Sequence, residues 1–185
     1  MNNVVLLSGG VDSAFVATEL CDHGESTRAL FVDYGQPAAA SERTSAKRLC
    51  EFLNITLFEF RIDGVPLGDM ASSEGARVVP ARNLWLISLA ASLLPVVYPP
   101  IRQVGFSHNQ VWIGAAPQDH AEYADCRDSF LESMRRPLHL LGHDLRWSFA
   151  KREERVNLLK GHGLLAFTHS CYSNVPCGEC PSCLQ

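Results

Sequence analysis

A hexapeptide near the N-terminus, Ser8-Gly9-Gly10-Val11-Asp12-Ser13, carries residue types suited to binding phosphate. Glycines let backbone N–H groups turn toward an anion without obstruction by a Cβ atom. The two serine hydroxyls can donate further hydrogen bonds, and the N-terminus of a helix that begins here adds partial positive charge. The Asp12 carboxylate would repel a bare phosphate, which indicates a bridging Mg²⁺. The alternative is an ordinary strand-to-helix turn with a Ser/Asp cap.

A second group of chemically distinctive residues lies at the C-terminus. Four of the seven cysteines fall there, at positions Cys171, Cys177, Cys180 and Cys183. Four thiolates at this spacing can complete a tetrahedral zinc site with no open position, so we predict a structural zinc knuckle. An iron–sulfur cluster is the competing interpretation, since it also takes four cysteines.

The elements that must position these groups follow from the hydrophobic pattern. Short apolar runs predict strands at 3–7, 28–33, 55–60, 111–115 and 164–167. Helical spacing or charge pattern predicts helices at 11–20, 38–53, 81–94, 122–135 and 150–160. This alternation is typical of an α/β fold, a three-layer structure with a parallel sheet of about five strands. We expect residues 1–169 to form that domain and residues 170–185 the knuckle packed on it.

Composition excludes several classes of protein. The chain has 185 residues, 46% of them hydrophobic, which suits one compact domain rather than a disordered chain. Its net charge of -4 argues against a general nucleic-acid binder. The longest apolar stretch, 84–97, is interrupted by Ser88 and Pro95 and falls short of the ~20 residues that a membrane span needs. The N-terminus lacks the features of a signal peptide, so we expect a cytoplasmic protein without a membrane partner.

Motifs spread along the chain resemble those of the 7-cyano-7-deazaguanine synthase family, within the ATP-pyrophosphatase loop superfamily. Besides the loop and the cysteines, the matching segments are Tyr34-Gly35-Gln36, Glu42, Val79-Pro80-Ala81-Arg82-Asn83, Asp125-Cys126-Arg127, Lys151-Arg152-Glu153 and Ser170-Cys171-Tyr172. The resemblance implies an adenine-nucleotide α-hydrolase (Rossmann-like) fold and a homodimer. It also implies ATP, Mg²⁺ and Zn²⁺ as cofactors.

The family resemblance implies an ATP-dependent carbon–nitrogen ligase. Such an enzyme adenylates the carboxylate of 7-carboxy-7-deazaguanine, couples it to ammonia, and converts the amide to the nitrile. One alternative keeps this activation but transfers the acyl group to an amine on a partner protein, as in defence-associated relatives. A second alternative is a tRNA-modifying ATP pyrophosphatase, which the net charge disfavours.

The resemblance also assigns roles to residues. The implied catalytic residues are Ser8, Asp12, Ser13, Arg82 and Lys151. The implied nucleotide contacts are the loop residues Ser8, Gly9, Gly10, Val11, Asp12 and Ser13, with Phe31, Tyr34 and Gln36. The implied substrate contacts are Asn83, Asp119, Tyr123, Asp125 and Arg127. Helix capping is the alternative for Arg82 and Asn83, a solvated surface pair for Asp125 and Arg127, and an ordinary charged helix face for Lys151.

The chain departs from the family on the substrate side. Gln36 is followed by Pro37-Ala38, where the family has Arg-His, and His169 stands where the family has tryptophan. The phosphate loop and the cysteines keep the family pattern. Activation of a carboxylate is therefore better supported by the sequence than the complete path to a nitrile, and no residue is identified as the base that the second stage needs.

Overall fold

The computed structural model describes residues 1–65, 67, 79, 81–98, 109–115 and 123–180. Its strands are β1 (Asn2–Leu6), β2 (Ser26–Asp33), β3 (Thr56–Arg61), β4 (Asn109–Ile113) and β5 (His143–Trp147). Its α-helices are α1 (Val11–Asp22), α2 (Ala39–Leu53), α3 (Arg82–Val97), α4 (Asp128–Leu140) and α5 (Arg152–Gly161). Two short 3₁₀ turns, Ala124–Cys126 and Leu165–Phe167, complete the described elements.

The five strands form one sheet in the order β3-β2-β1-β4-β5, and every neighbouring pair is parallel. The central strand β1 pairs on one side with β2 and on the other with β4, so Val5 lies between Ala29 and Trp112. The chain therefore leaves β1 in one direction and later returns to its other side. In open α/β sheets, ligands bind at such a switch point, beyond the carboxyl ends of the strands.

Side chains on the two faces of the sheet are buried under different helices. On one face Val4 belongs to a core that contains Ile87 of α3 and Leu131 of α4. On the other face Val5 belongs to a core with Phe15 of α1, and the same core includes residues of α2 and α5. Adjacent residues of a strand point to opposite faces, which explains the division. The predicted three-layer α/β sheet is confirmed.

The fifth strand is not where the sequence pattern put it. Residues 164–167, predicted as a strand, include the 3₁₀ turn Leu165–Phe167, and β5 occupies His143–Trp147 instead. Strand β5 lies at the edge of the sheet. Its Leu145 and Trp147 are buried, while Asp144 and Arg146 form an ion pair. A search for continuous apolar runs misses such a strand, because only alternate residues enter the core.

Several helix boundaries also differ from the prediction, most of all in α3 and α4, and α4 ends at Leu140 rather than at 135. Helix α4 begins at Asp128 rather than at 122, because the 3₁₀ turn Ala124–Cys126 precedes it. Helix α3 continues past Leu94 to Val97 with Pro95 inside it, and Tyr98 N–H donates to the Leu94 carbonyl at 2.9 Å. Among the described residues, no helix is long and apolar enough to cross a membrane.

Candidate active site

A cleft of about 300 Å³ opens at the carboxyl ends of β1, β2 and β4. Predicted site residues that line it are Ser8, Gly10, Val11, Asp12, Ser13, Phe31, Tyr34, Gln36, Arg82, Asn83, Tyr123 and Cys171. Residues without a predicted role also line it, among them Glu42, Cys126, Arg152, His169, Ser170 and Tyr172. Segments far apart in the sequence thus converge on the loop after β1.

Two glycines allow close packing around this loop. Gly9 has a φ of +81°, and a Cβ atom placed on it would lie 2.7 Å from the backbone oxygen of Glu42. A Cβ atom on Gly114, just after β4, would lie 2.7 Å from the backbone nitrogen of Ser13. Side chains at these positions would push α2 and β4 away from the loop.

The serines of the loop bond to one another and to the backbone. The Ser13 hydroxyl donates to the Gly10 carbonyl at 3.1 Å and lies 3.2 Å from the Ser8 hydroxyl oxygen. Gly10 is the N-cap residue of α1 and supplies no side-chain cap. The start of α1 thus borders the cleft with its helix dipole, as an anion site requires. The phosphate-binding role of the loop stays a prediction.

Asp12, the acidic residue of the loop, is paired with a buried cation. Its Oδ1 accepts a hydrogen bond from Nη1 of Arg155 at 3.0 Å, and Arg155 has no exposed surface. The same guanidinium donates to the backbone oxygens of Ala115 at 3.1 Å, Ser148 at 3.0 Å and Ala150 at 2.9 Å. Arg155 therefore joins the loop to the chain just beyond β4 and β5.

Sequence reasoning missed Arg155 because the charged residues around it are typical of a solvated helix face. A usable signal was present, since Arg155 stands four residues before Leu159 and thus shares its helix face. Leu159 is fully buried.

Lys151, a predicted catalytic residue, lies at the start of α5. Its side chain is exposed and is not part of the cleft lining, and its backbone N–H donates to Glu154 at 3.0 Å as α5 begins. The neighbouring Arg152 lines the cleft, with Nη1 3.9 Å from Oδ2 of Asp12. The cations beside the loop are thus Arg152 and Arg155, while catalysis by Lys151 stays a prediction.

Gln36, which follows β2, forms hydrogen bonds within the wall of the cleft at that end of the sheet. Its buried side chain accepts a hydrogen bond from the Tyr34 backbone N–H at 2.9 Å and donates to the Val32 carbonyl at 3.2 Å. Its Nε2 also donates to Oε2 of Glu42 at 2.8 Å. Burial raises the pKa of Glu42 above its usual range, although this hydrogen bond and nearby Arg82 act in the opposite direction.

Arg82 contacts Tyr34, which faces the same cleft. Burial opposes the charge on Arg82, but the Tyr34 oxygen, the Cys126 sulfur and the Asp125 carboxylate outweigh it and raise the pKa of Arg82. The Tyr34 ring packs edge-on against Trp85 with centroids 5.3 Å apart. Arg82 thus remains a cation in the cleft.

Asp125 holds the start of α3 rather than lining the cleft. Its Oδ2 accepts the Asn83 backbone N–H at 3.0 Å, and Asn83 Nδ2 donates to the Asp125 carbonyl at 3.1 Å and approaches the Cys126 sulfur at 3.3 Å. Arg127 is exposed at the N-cap of α4. Neither Asp125 nor Arg127 is among the cleft-lining residues. The substrate contacts predicted for them therefore stay predictions.

Asn83 and Tyr123 do line the cleft, and Tyr123 Oη lies 3.4 Å from Oη of Tyr172. The predicted substrate contact Asp119 lies outside the described residues.

The segment before the cysteines is bonded to the loop. The His169 backbone N–H donates to the Gly9 carbonyl at 2.8 Å, and the Val11 N–H lies 3.5 Å from the Ser170 hydroxyl oxygen. His169 Nε2 also lies 2.7 Å from the Ser173 carbonyl oxygen. These hydrogen bonds fall on both sides of the boundary predicted at 169/170, which stays a prediction. They fix the start of the cysteine segment against the start of α1.

Three of the predicted metal ligands lie together. The sulfur of Cys171 is 3.6 Å from that of Cys177 and 4.0 Å from that of Cys180, and all three lie within 4.8 Å of one another. Backbone N–H groups of Glu179 and Cys180 lower the pKa of the Cys177 thiol to about 6. Thiolates in such proximity suit a metal ion. Cys183 lies outside the described residues.

Comparison with known proteins agrees with this arrangement. A family model described as queuosine biosynthesis protein QueC matches residues 2–185. The chain belongs to the QueC family. A protein of Methanoregula boonei named 7-cyano-7-deazaguanine synthase is 31% identical, covering all of this chain and 92% of its own length. Proteins of the same name from Thermoplasma volcanium and Hahella chejuensis are each 30% identical and cover 97% and 98% of this chain.

These relatives confirm the resemblance drawn from the loop, the central motifs and the cysteines. The alignments cover 82% of the Thermoplasma protein and 85% of the Hahella protein. Membership of the QueC family therefore extends over the α/β sheet and the cysteine segment together. It identifies the chain as a member of an enzyme family linked to queuosine biosynthesis.

Proposed function

We propose that this protein is an ATP-dependent carbon–nitrogen ligase acting on 7-carboxy-7-deazaguanine, and that it forms the amide and then the nitrile, 7-cyano-7-deazaguanine. The observation that carries the proposal is the convergence of the loop from Ser8 to Ser13, Arg82 and Tyr34 on one cleft at the sheet's switch point. Membership of the QueC family and the names of the relatives support the choice of substrate.

The first stage joins two anions. An oxygen of the substrate carboxylate attacks the α-phosphorus of ATP, an O–P bond forms, and the bond to the β-phosphate breaks with loss of pyrophosphate. The loop binds the leaving pyrophosphate through its serines and the start of α1. Arg82 and Arg152, the cations that line the cleft, reduce the repulsion between the reacting anions. Asp12 would hold Mg²⁺, which supplies further neutralisation of phosphate charge when bound.

The second stage replaces AMP with nitrogen. Ammonia attacks the acyl carbon, and the C–O bond to AMP breaks to give the amide. A second adenylation activates the amide oxygen. Loss of the two remaining protons from nitrogen, with departure of AMP, then gives the nitrile. Each departure of AMP needs a site that excludes water, because hydrolysis would return the acid or the amide.

Substrate recognition is proposed for the side of the cleft formed by α3 and the 3₁₀ turn before α4. Asn83 and Tyr123 line that side and can donate or accept hydrogen bonds at a deazaguanine edge. Asp119, Asp125 and Arg127 complete the proposed set. The Asp125 carboxylate already accepts the Asn83 backbone N–H, so its contribution includes positioning Asn83.

The cysteines are proposed to hold a structural zinc ion. Cys171, Cys177 and Cys180 have clustered sulfurs, and Cys183 would be the fourth ligand. A metal bound here would fix the segment whose His169 and Ser170 contact the loop. The protein is further proposed to act as a homodimer, as the family resemblance implies.

The test is mass spectrometry of the purified protein incubated with ATP, Mg²⁺, ammonium and 7-carboxy-7-deazaguanine. Nitrile together with AMP is the expected result. A bare amide or a stalled acyl-adenylate would retain the activation step and direct the search to another acceptor, such as an amine on a partner protein. If no AMP forms, the proposed substrate is wrong.

A further inference from the structure

Glu42 is an acidic residue of the cleft to which the proposed stages assign no role. Its Oε2 accepts a hydrogen bond from Gln36 at 2.8 Å, which orients the carboxylate. Its backbone oxygen lies within 2.7 Å of the position that a Cβ atom on Gly9 would take. Glu42 is therefore fixed directly beside the loop proposed to bind phosphate.

The groups that face Glu42 come from three other parts of the fold. They are Arg82 at the start of α3, His169 before the cysteines and Asp33 at the end of β2. Burial has the largest effect and, together with the charge of Asp33, raises the pKa of Glu42 despite the nearby cations and the bond from Gln36. Compared with a glutamate in solvent, this side chain therefore accepts a proton more readily.

The chemistry needs such a group. Ammonia in neutral water is almost entirely ammonium, which has no electron pair with which to attack an acyl-adenylate. The adenylated amide must also lose two protons to become a nitrile. A base positioned near the reacting nitrogen typically contributes a rate factor of about 10² to 10⁴.

We propose that Glu42 is the proton acceptor for the nitrogen of the incoming ammonium and of the adenylated amide. The inference rests on the function proposed above. In the step, an N–H bond of ammonium breaks and an O–H bond forms on Glu42. The electron pair left on nitrogen attacks the acyl carbon, and AMP departs with the electrons of the C–O bond. Glu42 passes this proton to solvent and then accepts the second proton, which the nitrogen loses after the C–N bond has formed, so that the neutral amide is released. That proton also leaves to solvent before Glu42 serves again.

The other acidic residue that lines the described part of the cleft is less suited to this role. Asp12 accepts a hydrogen bond from Arg155, and Arg152 lies near its second oxygen. Paired cations stabilise the ionised form of a carboxylate, which weakens it as a base. Glu42 also has Arg82 and His169 nearby, but its carboxylate is hydrogen-bonded to an uncharged donor, Gln36, and burial outweighs the effect of the two cations.

The first experiment separates activation from nitrogen transfer in the Glu42→Gln variant. Glutamine keeps the size of the side chain and its bond to Gln36 but is not a base. We expect exchange of labelled pyrophosphate into ATP, driven by the deazaguanine acid, to stay within about threefold of the wild type. Ammonia-dependent amide formation should fall at least about 100-fold. Glu51→Gln, an exposed glutamate of the same helix, is the matched control and should change neither rate.

The second experiment supplies a nucleophile that needs no base. Hydroxylamine is neutral at neutral pH, so Glu42→Gln should form the hydroxamate at a rate within a few-fold of the wild type. Equal losses with ammonia and hydroxylamine would overturn the proposal, since they would indicate damage to the fold or to substrate binding. Unchanged amide formation would overturn it as well. Absence of acid-dependent exchange in the wild type would instead refute the proposed function, and the role of Glu42 with it.

Discussion

Replacement of Asp12 by asparagine tests whether the loop from Ser8 to Ser13 depends on a buried ion pair. If Asp12 served only a bound ligand, Asp12→Asn would remove activity and leave the fold unchanged. In the structure, however, Asp12 pairs with Arg155 at 3.0 Å. The Arg155 side chain has no exposed surface, whereas that of Asp12 is 25% exposed. The substitution therefore leaves a guanidinium buried without the carboxylate that pairs with it.

The expected cost follows from this geometry. Removing one partner of a buried ion pair typically destabilises a protein by about 3–5 kcal/mol. The asparagine oxygen can still accept a hydrogen bond, and three backbone carbonyls still bind Arg155, so we expect a value near the lower end, about 3 kcal/mol. For a chain of this length, about 3 kcal/mol corresponds to a decrease in melting temperature of about 6–12 °C.

The assay is thermal unfolding of the purified variants, followed by far-ultraviolet circular dichroism, beside ATP–pyrophosphate exchange. Arg152→Gln is the matched control, because Arg152 lies 3.9 Å from the same carboxylate but is partly exposed. Its contribution to the free energy of unfolding should stay below about 1 kcal/mol. An Asp12→Asn protein that melts within about 2 °C of the wild type would refute the structural role of the pair.

Three further predictions concern the loop, the cysteines and the edge strand. Gly9→Ala should cost more stability in chemical denaturation than Gly24→Ala; both glycines have positive φ, but only the Cβ added at Gly9 would meet backbone and side-chain atoms within 3 Å. Cys177→Ser should lower the metal content measured by mass spectrometry and the melting temperature together, and a stable metal-free variant would contradict the structural site. Arginines and His139 around Asp144 overcome its burial and lower its pKa. Ionised Asp144 should therefore stabilise the folded protein above pH ~4, and this stabilisation should be lost as the pH falls further. An acid titration of the stability of Asp144→Asn should not show that loss.

The sequence was sufficient to predict the parts of the fold whose signals are local. The apolar run that ends at Ser8-Gly9-Gly10 marks a buried strand followed by a helix, and the structure has β1 and α1 there. The edge strand β5 was missed because His143–Trp147 contains Asp144 and Arg146. Its place in the sheet depends on pairing with β4, which is a long-range property.

Which of the predicted site residues line the cleft is likewise a long-range property. A motif shows that residues share a function, but it does not show which of them faces the ligand. Within the motif around α5, Lys151 is exposed, whereas Arg152 lines the cleft and Arg155 is buried against Asp12. The position of a residue along a helix sets the direction of its side chain. The three side chains can therefore be told apart once the buried face of α5 is known.

Two charged side chains beside the loop come from distant parts of the sequence. Arg155 stands 143 residues after Asp12 and pairs with its carboxylate. Glu42 reaches the loop because Gly9 lets α2 approach it closely. Burial there raises the pKa of the Glu42 carboxyl group. One acid beside the loop is thus paired with a buried cation, whereas burial raises the pKa of the other. Packing rather than residue type produces this difference between Asp12 and Glu42, since in solvent the two carboxylates would have similar pKa values.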